Sequence, residues 1–168
     1  ESLVESELSK SFVPACFKND GGTSPLALKD MKNSGIVGAA LYNFSVSRGV
    51  TYCSVKYFIS GKGGDYDPYK NSVNIHSLRG ATFKLAAVIN GTMRAVEKEN
   101  GTLALDTRQD FRQWLRQSLY ADAAAQVAEI AVAFELRQSG KPALWDMLSQ
   151  PQGAGEWNLK PVLAQFEK

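Results

Sequence analysis

Apolar and polar positions alternate through residues 36–47 and again through 50–60, the period-two pattern of strands with one buried face. Arg48 and Gly49 lie between the two runs, and glycine readily supplies the positive φ of a tight hairpin turn. The pattern predicts a β-hairpin across 36–60. Its register would set Phe44 opposite Cys53, Tyr42 opposite Val55, Ala40 opposite Tyr57 and Gly38 opposite Ile59, all on one apolar face. A further alternation, Val73 and Ile75 against Asn74 and His76, predicts a third strand near 72–78. The stretch 61–72 between them has the Gly, Pro, Asp and Asn density of a loop.

Beyond Thr82 the period changes. Leu85, Val88, Ile89, Met93 and Val96 recur with helical spacing, predicting a helix over 82–98 that tolerates Gly91 at a cost of roughly 1 kcal/mol. Asn100 and Gly101 close it. A hairpin turning at Asn90-Gly91 is the competing reading of the same residues. Asp106 and Gln109 form a variant capping box. Phe111, Leu115, Leu119, Ala123, Val127, Ile130 and Phe134 then define the stripe of a helix reaching Ser139, ended by Gly140 and Pro142. A break near 120–122 would divide it in two. Shorter helices are expected at 2–12, where Val4, Leu8 and Phe12 precede the stop at Pro14, and at 25–33 and 142–148. Residues 151–155 read as a linker, and Trp157, Leu159, Val162, Leu163 and Phe166 as a terminal segment packing back. Strands early and helices late predict an α+β fold: a small antiparallel sheet with a helical C-terminal half on one face.

Composition narrows this picture. A chain of 168 residues, 44% hydrophobic and 21% charged, can bury a core as a single globular domain over 1–168. Its net charge of +2, from 19 Lys and Arg against 17 Asp and Glu, disfavours a nucleic-acid footprint. Arg108, Arg112 and Arg116, four residues apart, read as a solvated helix face. The longest apolar tract, 121–134, is interrupted by Asp122, Gln126 and Glu129, so no membrane span is expected. Cys16 and Cys53 allow one pairing. A bond between them would suit an oxidising compartment, and a start at Glu1 fits a mature exported protein. Both point to a periplasmic or secreted location; two buried thiols in a cytoplasmic protein are the alternative. The patterns at Asn43, Asn90 and Asn100 match glycan acceptors but are too short to weigh.

The candidate chemistry is sparse. A single histidine, His76, rules out two-histidine zinc sites and leaves one base for a triad. Residues 61–64 lack the spacing of a phosphate loop. Asp65 and Asp67 start like a calcium loop, but Tyr69, Lys70 and His76 occupy its later ligand and glycine positions. No metal and no cofactor are expected. Tyr66 and Tyr69, with Lys62, Asp65, Asp67 and Lys70 around them, have the composition of a protein-contact surface. These observations favour an exported, non-catalytic binding protein whose partner is another protein, as for an inhibitor, an immunity factor or a secretion-assembly subunit. Two alternatives remain: an enzyme using His76 with Asp65 or Asp67, or a structural subunit marked by an apolar patch near Trp145 and Trp157.

Overall fold

A computed structural model describes residues 15–19, 21, 22, 25–56, 64–77, 79–103, 105, 108 and 110–150. The fold is α+β. Strands β1 (Ala15–Lys18), β2 (Thr51–Val55), β3 (Gly64–Asp67) and β4 (Ser72–His76) form one sheet. They accompany helices α1 (Leu26–Lys32), α2 (Ile36–Ser47), α3 (Ala81–Glu99), α4 (Phe111–Gln138) and α5 (Ala143–Ser149). The sheet order is β1-β2-β4-β3. Its outer pairs are antiparallel and its central pair, β2 with β4, is parallel, so the sheet is mixed rather than antiparallel. The helices expected at 25–33, 82–98 and 142–148 are α1, α3 and α5. Those expected at 2–12 and beyond 156 lie outside the described residues.

The expected hairpin is not formed. Residues 36–47 are helix α2, and only the second run yields a strand, β2. The buried positions of α2 are Gly38, Leu41, Tyr42 and Ser45, a helical spacing that two small or polar members conceal. Ser45 is fully buried because its hydroxyl accepts from Asn19 Nδ2 at 2.6 Å and donates to the Tyr42 carbonyl at 2.8 Å, so burial leaves no polar atom unsatisfied. Gly49 does adopt positive φ, +59°, but as the residue that ends a helix rather than a strand turn. Cys53, expected opposite Phe44, instead pairs with Cys16 on β1.

Helix α2 cannot cap itself, since its N-cap residue is Gly35. The cap comes from α4. Glu135 Oε1 accepts from Val37 N at 2.8 Å, and Oε2 accepts from Gly38 N at 3.2 Å and from Ser34 Oγ at 3.1 Å. A Cβ on Gly35 would stand 2.5 Å from Glu135 Cδ, so glycine makes room for the carboxylate. A negative charge at these free amides also complements the helix dipole. We expect Glu135→Ala to destabilise the fold by about 2 kcal/mol and Glu135→Gln by less, since an amide oxygen can still accept; urea unfolding of the two variants measures the difference.

The core lies between the sheet and the helices. One cross-strand row, Phe17, Tyr52, Val73 and Tyr66, traverses all four strands. Val73 is fully buried, and Tyr52 and Tyr66 nearly so. Helix α3 lies against this row, and Gly91 lets it come close: a Cβ there would stand 2.3 Å from Val73 Cγ1. The glycine that weakens the helix locally is thus the residue that seats it.

Helix α4 is one unbroken helix. Its cap is Asp110, whose Oδ2 accepts from Arg112 N at 3.0 Å and Gln113 N at 3.4 Å; the expected Asp106–Gln109 box lies outside the described residues. The expected apolar stripe is not the packed one in the first part of the helix. Phe111, Leu115, Leu119 and Val127 are exposed, while Ala121, Ala125, Ala128, Val132 and Ala133 are buried. Small side chains let α4 approach its neighbours closely, and shape outweighs hydrophobicity in deciding which face turns inward. Among the described residues no helix is long and apolar enough to cross a membrane.

Candidate functional site

The residues first singled out on the β3–β4 arm have different fates. Tyr66 points inward, with its hydroxyl donating to Asn71 Oδ1 at 2.9 Å. Burial, then the charges of Asp67 and Glu99, push its phenol up to about 12, so it remains a donor at any physiological pH. Asp67 shapes the turn: its Oδ1 accepts from Tyr69 N at 2.9 Å and Lys70 N at 3.1 Å, and Lys70 Nζ lies 3.8 Å from its Oδ2. Tyr69, Asp65 and Lys70 are exposed. Lys62 lies outside the described residues. His76 sits at the end of β4 opposite Val55, while Asp65 and Asp67 face Asn74 and Ser72. Tyr52, deeper in the sheet, has its phenol raised by burial and shares a 2.8 Å hydrogen bond with Thr92.

A second polar arrangement, outside that arm, is a seam between α3 and α4. Asn90 and Arg94 are four apart on α3 and so share a face. Asp122 and Glu129 are seven apart on α4 and share another. Asn90 Nδ2 donates to Glu129 Oε1 at 2.6 Å, and Arg94 Nε donates to Asn90 Oδ1 at 3.4 Å. The Arg94 guanidinium also forms an ion pair with Asp122. Buried Ala121, Ala125 and Ala128 of α4 lie beside these carboxylates. The Arg94 and Asp122 side chains are 21% and 29% exposed, so the seam is dry enough to strengthen electrostatics and open enough to be reached. A separate depression of about 160 Å³, lined by Asp30, Leu85, Lys141 and Leu144 among others, lies towards the start of α3; it is smaller than the usual ligand pocket.

Sequence reasoning noticed three of these four residues, in passing, and missed Arg94. Asp122 and Glu129 interrupted an apolar tract, and Asn90 belonged to a glycan-like pattern. Their common signal was spacing: seven residues apart on one helix and four on the next place both pairs on inward-turned faces.

A small α+β protein with a charged seam between two helices is the class that fold and site define. A family model described as "Putative metallopeptidase family (DUF6782)" matches residues 34–167. The chain belongs to that family. No curated protein and no solved structure matches it. Family membership overturns the expectation of a non-catalytic binding protein, because the family is described by an enzymatic activity.

The description implies a metal ion, and the donor chemistry of the described residues does not fit one. The sequence has one histidine and no His-Glu-x-x-His motif, the helical signature that sets two imidazoles four residues apart. Both cysteines are joined in a disulfide. Among the described residues no three His, Cys, Asp or Glu side chains are grouped to hold a metal. Where α3 presents an i, i+4 pair to carboxylates of α4, the pair is an amide and a guanidinium.

Proposed function

We propose that this protein hydrolyses peptide bonds at the α3–α4 seam. The carrying observation is that two carboxylates of α4 meet a guanidinium and an amide of α3 in a chain belonging to a peptidase family. Glu129 takes a proton from water as its oxygen attacks the substrate carbonyl, and returns that proton to the departing amine. Arg94, held by Asp122, offsets the negative charge that develops on the carbonyl oxygen. Asn90 fixes the Glu129 carboxylate through their hydrogen bond. A site on two packed helices keeps such groups in place better than a loop would.

The Cys16–Cys53 disulfide supports action in an oxidising compartment, the periplasm or the cell exterior.

Incubation of the purified chain with an unstructured protein and a mixed peptide library, with mass spectrometry of new termini, tests the reading. We expect cleavage at a restricted set of bonds. Substrates that stay intact at enzyme-level concentrations would defeat the proposal.

A further inference from the structure

We infer that the α3–α4 seam binds no divalent metal ion and that Arg94 is its resident cation, in a place where helix-borne metal centres put a second histidine. This deepens the proposed function and rests on it for its catalytic meaning, although the metal statement can be measured without any substrate.

Three positions of α3 carry the inference. A helix-borne metal centre has ligands at i and i+4 and a glutamate at i+1 serving as base. Here position i is Asn90, whose amide donates to Glu129 rather than offering it a shared metal. Position i+4 is Arg94, which stays protonated in proteins and has no lone pair to give. Its charge already neutralises Asp122, so an incoming cation would meet a repelling guanidinium and a carboxylate that is already paired. Position i+1 is Gly91, and Val73 closes it to any side chain, as the 2.3 Å approach of an added Cβ shows. None of the three positions supplies an imidazole ligand or a base, and at the last the reason is the packing that seats α3 on the sheet.

The α4 side does offer a carboxylate. Glu129 faces position i, and a seam with histidines at both ends of the i, i+4 pair would offer the two-His, one-Glu set that zinc accepts. With Arg94 on the α3 side, the seam's cation is covalently part of the chain and cannot be stripped by a chelator.

The test uses the full chain, exposed to zinc chloride, desalted, and assayed for bound metal by elemental analysis and for melting temperature with zinc or with EDTA. We expect no retained equivalent of zinc and the same melting temperature in both. One equivalent of zinc that is lost in Asp122→Asn or Glu129→Gln would overturn the inference; zinc that both variants keep lies elsewhere and leaves it standing. The double variant Asn90→His, Arg94→His is expected to retain one zinc and to melt higher with it. A folded double variant that takes up none would refute the claim that Arg94 stands at a metal position. Absent cleavage with no bound metal defeats the proposed function alone, whereas cleavage that requires zinc at the seam defeats this inference alone.

Discussion

Replacing Glu129 by Gln is expected to lower kcat/KM for peptide cleavage by about 100-fold or more, since a general base contributes on the order of 10²–10⁴ in rate. The isostere keeps an oxygen that can accept from Asn90 Nδ2, so the contact seen at 2.6 Å survives in form. What it loses is the capacity to take a proton. Stability should move by no more than about 1 kcal/mol, because the hydrogen bond lies in a partly exposed seam rather than a sealed core. Parallel progress curves and thermal melts separate the two effects. A variant that cleaves at the wild-type rate would remove Glu129 from the chemistry, and one that fails to melt cooperatively would assign it a structural role.

The largest stability effect should follow loss of the Cys16–Cys53 bond. The bond joins neighbouring strands across a sequence separation of 37 residues. Closing a loop of that length removes unfolded-state entropy worth about 4 kcal/mol at room temperature. For a chain of this size, that corresponds to a fall in melting temperature of roughly 10 °C. The native contribution is local: β1 is an edge strand whose one sheet neighbour is β2, with four register pairs. We expect Cys16→Ala with Cys53→Ala to melt lower by this amount, and dithiothreitol to lower the wild type equally while leaving the double variant unmoved. Equal melting of all samples would mean that the link contributes nothing to stability.

Helix α3 and strand β4 were legible in the sequence because their apolar residues follow one period and are locally sufficient. Leu85, Val88 and Ile89 admit little besides a helix once α3 has a sheet to face. Helix α2 was misread because residues 36–47 satisfy both periods, and the deciding burial falls on Gly38 and Ser45, which carry no hydrophobic signal. Strands β1 and β3 have four residues each, too few for a period, and they exist through partners elsewhere in the chain. The direction of α4 was legible but its inward face was not, since close packing of alanines decided it. The disulfide was legible as the one pairing that two cysteines permit. The seam was not legible, because Arg94 and Asp122 are 28 residues apart and Asn90 and Glu129 are 39 apart, and no motif joins the four.

The cap that Glu135 supplies to α2 also bears on how the chain comes together during synthesis. Val37 and Gly38 leave the ribosome 98 and 97 residues ahead of the carboxylate that receives their amides. At ordinary elongation rates this is a wait of about 5–20 s. Throughout that interval the nascent chain has a helix with an open end, even after α3 has emerged. Its native arrangement must therefore be completed late, once α4 has emerged, and the interval before then is when the chain is most open to wrong pairing and to capture by chaperones.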